Sequence, residues 1–115
     1  HKEKTKQVTK YLQKLKGGIG IPSIIWRGTL DNQTVTVTEC LGPNLKKLFL
    51  LMDRKFTVST VAMIGLQLLT TLEYIHRNDI VCCNIMPKEI LISLNRKIST
   101  LFITDYKQAK KVSSA

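Results

Sequence analysis

The segment VCCNIMPKEILI, residues 81 to 92, has the frame of a catalytic loop without the reactive side chains of one. It is apolar at both ends and carries two adjacent cysteines, an asparagine, a methionine and a proline in between. The pattern predicts a loop in which inert side chains have replaced reactive ones.

The three cysteines, Cys40, Cys82 and Cys83, do not have the spacing of a disulfide framework or a zinc site. An odd number with one adjacent pair does not pair into a framework, and no C-x-x-C spacing suggests zinc. A reducing compartment fits this cysteine usage, so we expect a cytoplasmic or nuclear protein.

Two short motifs resemble phosphate-binding or phosphate-transfer signatures, and we reject both. GGIG, residues 17 to 20, lacks the third glycine of G-x-G-x-x-G, because Ser23 stands at the sixth position counted from Gly18. It also follows a predicted helix rather than a strand. HRND, residues 76 to 79, differs from the H-R-D of kinase catalytic loops by Asn78 and ends a predicted helix, so we interpret it as a surface turn.

The charge balance favours anionic partners in general but no particular one. Eighteen Lys and Arg against eight Asp and Glu give a net charge of +10 over 115 residues, enough to attract nucleic acid, acidic protein or anionic membrane. Several lysines lie in the end segments HKEKTKQ and KQAKK, where a solvated surface is the simpler interpretation. Aromatic residues make up only 6%, which offers few stacking platforms for nucleic acid. No apolar run reaches 18 residues, so we expect no membrane span.

The first half of the chain predicts a helix followed by a β-hairpin. Apolar residues at helical spacing between Val8 and Leu15 predict an amphipathic helix, with lysines on its other side and a glycine pair after it. IIWRGTL and QTVTVTEC surround the turn dipeptide DN and predict two strands. Val35 and Val37 alternate with threonines, so we expect one apolar face on the second strand.

The second half predicts a short helix, a long helix and three short strands. The long helix lies in FTVSTVAMIGLQLLTTLEYIHRND, with Thr57 or Ser59 as its N-cap. We expect packing neighbours all around it because apolar residues occupy most of its sides. Its predicted main apolar face is Val61, Leu68, Leu69, Leu72 and Ile75. Short strands follow around IVCC, EILISL and STLFITD, with a turn at Asn95, and the tail KQAKKVSSA is predicted to be loose.

GGIGIP, LGPNL, KFTVSTV, EYIH, I-x-P-x-x-I-L and LFITDYKQAKK occur in an order that resembles the casein kinase I family of serine/threonine protein kinases. The family reads close to GGVGIP and LGPSLEDLF where this chain has GGIGIP and LGPNLKKLF, and the resemblance covers about residues 8 to 112. It implies an α+β, partial protein-kinase-like fold with helix αC, strands 4 and 5, the hinge, αD, αE and the catalytic-loop strands. Residues 1 to about 40 would be a remnant of the small lobe, and about 41 to 112 the start of the large lobe.

The same resemblance implies that the catalytic positions are degenerate. Asn84 stands at the general-base aspartate, Met86 at the loop lysine and Glu89 at the metal-binding asparagine. An amide cannot take up a proton at neutral pH, so the contribution of a base, about 10² to 10⁴ in rate, should be lost. A thioether brings no charge to the transferred phosphate. Cys82 and Cys83 replace the histidine and arginine that brace the loop.

The resemblance implies that the hinge alone is well kept, and that the metal-binding aspartate survives among changed neighbours. Asp105 stands at the metal-binding aspartate, followed by Lys107 in place of a glycine, and Val8 falls at the αC glutamate. The resemblance also assigns the adenine-binding positions: Thr38 at the gatekeeper place, Glu39 and Leu41 in the hinge, and Leu91 as the floor.

From these residues we expect a catalytically inactive kinase homologue, a pseudokinase fragment whose partner is a protein or the missing remainder of the kinase domain. No cofactor is expected, and ATP and magnesium would bind weakly at most. Two alternatives stay open: a fragment of a larger ATP-dependent serine/threonine kinase, and a basic nucleic-acid-binding protein, the less favoured one. A decaying gene copy would have the same sequence features as a pseudokinase.

Overall fold

The computed structural model describes residues 2–82, 84–94 and 100–112, with side chains from residue 6 onward within those ranges. They form an α+β fold of helices and short antiparallel strands, so the predicted class is confirmed at that level. The helices are α1 (Lys2–Lys14), α2 (Leu45–Leu51) and α3 (Val58–Arg77). The strands are β1 (Ile24–Leu30), β2 (Gln33–Thr38), β3 (Ile80–Val81), β4 (Ile90–Ile92), β5 (Leu101–Ile103) and β6 (Lys110–Lys111). A 3₁₀ turn spans Pro87–Glu89.

Helix α1 begins at Lys2, ahead of the first predicted apolar position, Val8, and ends before Gly17, whose φ is +89°. The glycine-rich stretch that follows is a loop between a helix and a strand, as predicted. Gly20 has a φ of +85°, and a Cβ there would lie 2.6 Å from Thr71 Oγ1 of α3. Glycine is required because the loop backbone lies directly on the α3 side chain.

The predicted hairpin is present, but its expected apolar face is not buried. Strands β1 and β2 pair antiparallel around Asp31 and Asn32, whose φ values of 49° and 63° are those of a primed turn. Val37 is nevertheless 42% exposed. Thr36 Oγ1 lies 2.7 Å from Thr9 Oγ1 of α1, so the threonine face meets the helix and the Val37 face points away from it.

Helix α3 has the predicted N-cap and the predicted end. Thr57 Oγ1 accepts a hydrogen bond of 3.1 Å from the Thr60 amide, so Thr57 rather than Ser59 is the cap. The helix ends at Arg77, and Asp79 follows with a φ of 61°. HRND is therefore a turn, as predicted.

The prediction that α3 is covered on most sides is wrong for the part of the chain that the structure describes. Leu68 and Leu72 pack against the core and Ile75 is fully buried, as predicted. Val61 and Leu69 are 55% and 69% exposed, so they are not on the buried face. The helix meets other elements on one side only. Among the described helices, α3 alone has the length and apolar composition that crossing a membrane requires, a test that core helices of soluble proteins also pass.

The core lies between α1, α3 and the short strands. Its main cluster consists of Tyr11, Leu12, Leu15, Ile21, Ile75, Ile80, Cys82, Ile103, Tyr106 and Ala109. A second cluster of Leu45, Ile90 and Leu101 joins α2 to the β4–β5 pair. Both clusters are small, because each of the three sheets has only two strands.

The prediction of a loose tail is wrong for residues 110 to 112. Strand β6 pairs antiparallel with β3, and the Val112 amide donates a 2.7 Å hydrogen bond to Asp79 O. The backbone groups of Ile80 and Val81 need hydrogen-bond partners, and the tail supplies them although its sequence has no periodicity. The predicted turn at Asn95 and the last three residues lie outside the described residues.

Candidate functional site

A cavity of about 510 Å³ lies between α1, β2, the segment after β2, and β4. This volume is within the usual range of small-molecule sites, about 300 to 1,000 Å³. All four positions predicted to contact a nucleotide line it: Thr38, Glu39, Leu41 and Leu91. The remaining lining residues are Val8, Thr9, Leu12, Pro22, Thr36, Thr104 and Lys107. The four predicted positions, which are up to 53 residues apart in the chain (91 − 38), thus line one cavity.

The wall between α1 and β2 follows from strand alternation. Thr36 and Thr38 are two residues apart on one strand, so they project to the same face. The contact between Thr9 and Thr36 attaches that face to α1. Val8, at the position of the αC glutamate, also lines the cavity but carries no charge. The cavity thus has an apolar and hydroxyl-bearing wall on this side.

The segment after β2 is held in place by Glu39. The Glu39 backbone amide donates a 2.9 Å hydrogen bond to Ser23 O, and Glu39 Oε2 accepts a 2.8 Å hydrogen bond from the Ser23 amide. The Glu39 carboxylate therefore holds the chain after Pro22 in place, and one of its oxygens already has a hydrogen-bond partner. The Leu41 amide makes no hydrogen bond within the described part of the chain, so it remains available to donate to a ligand.

Leu91 is positioned by two backbone hydrogen bonds between the same segment and β4, which we call the clip. The Gly42 amide donates to Ile92 O at 2.7 Å, and the Ile92 amide donates to Pro43 O at 3.1 Å. A Cβ at position 42 would lie 3.0 Å from Ile92 O, so a side chain there would disturb the contact. The clip sets Leu91 against the segment that carries Glu39 and Leu41.

Asn84 and Asp105, the positions of the base and of the metal ligand, are hydrogen-bonded to each other. Asn84 Nδ2 donates to Asp105 Oδ2 at 3.0 Å, and the Lys107 amide donates to Asp105 Oδ1 at 3.0 Å. Both carboxylate oxygens of Asp105 thus accept hydrogen bonds from the protein. The Asn84 side chain acts as a donor here, the opposite of what a general base must do.

Met86 and Glu89 do not join a common site with the cavity. Met86 is 40% exposed, and Glu89 ends the 3₁₀ turn, where its carbonyl accepts hydrogen bonds from both the amide and the hydroxyl of Thr104. Asn84, Met86, Glu89 and Asp105 are all absent from the cavity lining. No group of three or more metal-ligating side chains occurs among the residues that the structure describes.

Lys107 lines the cavity, and its side chain is solvent-exposed. It is the one cation among the lining residues. A phosphate group of a ligand in the cavity would therefore meet a single ammonium group. Glu39 is the only lining carboxylate, and one of its oxygens already accepts from Ser23.

Tyr106, between Asp105 and Lys107, anchors this segment in the core. Its side chain is 1% exposed, and its hydroxyl has no hydrogen-bond partner among the described residues. Burial raises the pKa of the hydroxyl far above its usual range, and the neighbouring Cys82 thiol adds to the increase. Cys82, at a position where the resemblance expects a brace for the loop, is instead a buried core residue. Cys83 lies outside the described residues.

Sequence reasoning missed several residues of the cavity. Thr36 could have been inferred from Thr38 by strand periodicity. Pro22 and Thr104 carried no comparable local signal, since they reach the cavity only through the packing of the loop and of β5. Lys107 had been noted as a replaced glycine but not as a cavity residue.

The described residues form a small α+β domain in which the predicted nucleotide positions line a cavity of mixed apolar and polar character. The chain matches no known protein-family model.

Proposed function

We propose that the chain is a partial, casein-kinase-I-like serine/threonine kinase domain that does not transfer phosphate and acts as a protein-binding module. The observation that carries this proposal is the convergence of Thr38, Glu39, Leu41 and Leu91 on one cavity. Thr38, Glu39 and Leu41 belong to one short segment and Leu91 to a motif 50 residues further along (91 − 41), so the meeting of Leu91 with that segment is the non-local match that supports the resemblance.

The loss of catalysis follows from the residues around Asp105. Phosphoryl transfer depends on positioning and on charge stabilisation around magnesium and the phosphates. Asn84 cannot accept a proton, and Met86 cannot stabilise developing charge. Asp105 accepts hydrogen bonds from Asn84 and from the Lys107 amide, so binding magnesium there would have to compete with both.

The protein-binding role is supported by exposed apolar side chains on adjacent helices. Leu51 of α2 and Leu66 and Leu69 of α3 are each more than 60% exposed. Exposed apolar patches of large residues are typical of interaction surfaces. The same exposure supports the alternative that the chain is a fragment of a larger ATP-dependent kinase, in which further sequence would cover α3. Sequencing the full transcript distinguishes the two, since an open frame with intact kinase motifs on both sides favours the alternative.

A thermal shift experiment tests the expectation that the chain binds MgATP weakly at most. A ligand that binds only the folded state raises the unfolding midpoint, and the stabilisation grows with the logarithm of one plus the ratio of ligand concentration to dissociation constant. At about 1 mM MgATP, a dissociation constant of about 1 mM or weaker stabilises by at most about 0.4 kcal/mol, which corresponds to a rise of less than about 3 °C in a domain of this size. A larger rise that also requires magnesium would contradict the proposal and favour a working nucleotide site.

A further inference from the structure

A second cavity, of about 680 Å³, lies on the side of α1 away from the Thr38 cavity. It is bounded by α1 on one side and by the β3–β6 pair on the other. Its lining consists of Lys6, Gln7, Lys10, Tyr11, Lys14, Ile80 and Lys111. We call it the lysine groove. It shares no lining residue with the Thr38 cavity, so a ligand could occupy it independently.

Four lysines from two elements line the groove. Lys6, Lys10 and Lys14 follow one another at intervals of four residues, which places them along one face of α1. Lys111 comes from β6, whose pairing with β3 sets it opposite Ile80 at the groove floor. No acidic residue belongs to the lining. The one ion pair that the described side chains form, Arg77 with Glu73, lies on α3.

A smaller cavity of about 330 Å³ continues the basic surface toward the hairpin. It shares Lys6 and Lys10 with the lysine groove and adds Arg27 and Thr29 of β1 and Thr34 of β2. The two cavities together have five cationic lining residues. Lys6 and Lys10 are shared, Lys14 and Lys111 line the larger cavity, and Arg27 lines the smaller one. Like charges at four-residue spacing on a helix destabilise it, and a polyvalent anion between them would offset that repulsion.

The groove also contains a fixed hydroxyl. Gln7 Nε2 donates a 2.9 Å hydrogen bond to the Tyr11 hydroxyl oxygen. With its oxygen accepting from Gln7, the Tyr11 hydroxyl can direct its own proton to an acceptor in the groove. An anion with several oxygens would find both ammonium groups and a hydroxyl donor there.

We propose that the lysine groove binds a small anion that carries several phosphate groups. Several negative charges on one ligand can interact with several of these lysines at once, and the limited volume favours a compact ligand. A nucleic-acid strand is less suited, because Tyr11 is the only aromatic residue of the lining and is 8% exposed, which leaves no stacking platform. The proposal does not depend on the kinase resemblance.

A calorimetric titration with inorganic tripolyphosphate at low salt tests the proposal. We expect saturable binding that weakens as salt is added, because ion contacts are screened. Lys10→Gln removes the cation that both cavities share and should weaken binding by about three- to tenfold. Lys46→Gln, an exposed lysine of α2 that lines neither cavity, makes the same change in net charge and should leave binding within about twofold.

The outcomes separate a site from general charge attraction. Absence of saturable binding to the wild-type chain, or equal weakening by the two variants, would overturn the proposal. A phosphoserine peptide and a single-stranded oligonucleotide of the same formal charge serve as competing probes. If either binds more tightly than tripolyphosphate and is weakened selectively by Lys10→Gln, the groove is a macromolecular site and the small-anion assignment is wrong. Equal unfolding midpoints of the two variants without ligand show that a folding defect does not cause the difference in their binding.

Discussion

At the scale of single residues, the contact between Asn84 and Asp105 gives position 84 a structural role. An amide can donate a hydrogen bond to a carboxylate, whereas a second carboxylate would repel it. In the kinase-like domain that we propose, this 3.0 Å contact would occupy the position of the general base.

Asn84→Asp should destabilise the fold without restoring phosphate transfer. It replaces a hydrogen bond with two carboxylates about 3 Å apart, and we expect a loss of about 1 to 3 kcal/mol in the free energy of unfolding at pH 7. Denaturant unfolding of the wild-type chain and the variant at pH 7 measures the loss.

The exchanged double variant Asn84→Asp with Asp105→Asn is the control, because it restores a pair of one amide and one carboxylate. It should recover most of the lost stability. If Asn84→Asp alone is as stable as the wild-type chain at pH 7, the contact contributes nothing and this account of position 84 fails.

Tyr106→Phe should stabilise the chain and weaken its response to alkali. The hydroxyl is buried and has no partner within the described part of the chain, so its removal should add about 1 kcal/mol at neutral pH. The folded-state pKa of Tyr106 is raised above the unfolded value of about 10. Above about pH 10 the unfolded chain loses the Tyr106 proton while the folded chain keeps it. The stability of the wild-type chain is therefore unaffected by this ionisation below about pH 10 and falls as the pH rises further.

Unfolding free energies of the wild-type chain and the variant between about pH 9 and 11 measure this difference. Tyr74→Phe is the matched control, because the Tyr74 hydroxyl donates a 3.0 Å hydrogen bond to Leu15 O. It should lower stability at neutral pH and keep the alkaline loss. A destabilised Tyr106→Phe with an unchanged alkaline loss would mean that the hydroxyl has a partner.

At the scale of elements, local sequence predicts the elements well and their buried faces poorly. The DN turn and the Thr57 cap were predictable because they depend on neighbouring residues only. The exposure of Val37 and Leu69 was not, because it depends on which elements lie opposite. The β3–β6 pair was missed for the same reason, since two-residue strands carry no periodic signal.

The residues of the candidate sites also fall into two groups, those that local motifs predict and those that depend on how the elements pack. Thr38, Glu39, Leu41 and Leu91 were accessible from motifs, whereas Lys107 and the lysine groove required the packing of α1 against the last strands. The sequence favours a solvated surface for the end segments that contain Lys6 and Lys111, and it places Lys10 and Lys14 on the helix face opposite the apolar residues. Only the position of Lys111 across the groove turns that face into a concave site.

Exposed leucines on α3 should cause self-association. Leu69 is 69% exposed on a helix that meets other elements on one side only, and we expect the sedimentation coefficient of the wild-type chain to rise with concentration. Leu69→Gln should reduce that rise because it removes apolar area from the exposed side. Leu30→Gln, at the hairpin tip with 62% exposure, is the control and should behave like the wild-type chain. A monodisperse wild-type monomer at all concentrations would contradict the expectation.

At the scale of the whole molecule, the chain exposes more surface than a compact domain of its mass. Its accessible area is 8312 Å², against about 6,400 Å² for an average folded monomer of 13.1 kDa. Its radius of gyration is 15.1 Å, against about 13 Å for a compact domain of 115 residues. The excess is consistent with a partial domain whose apolar surfaces are covered by a partner, which is the role that we propose.

Phosphate transfer from radiolabelled ATP to casein in the presence of magnesium tests the central claim most directly. We predict that the purified chain incorporates no more label into casein than a sample without the protein, because Asn84 and Met86 supply neither a base nor a charge. Incorporation above that blank, proportional to the amount of chain and to time, would contradict the account.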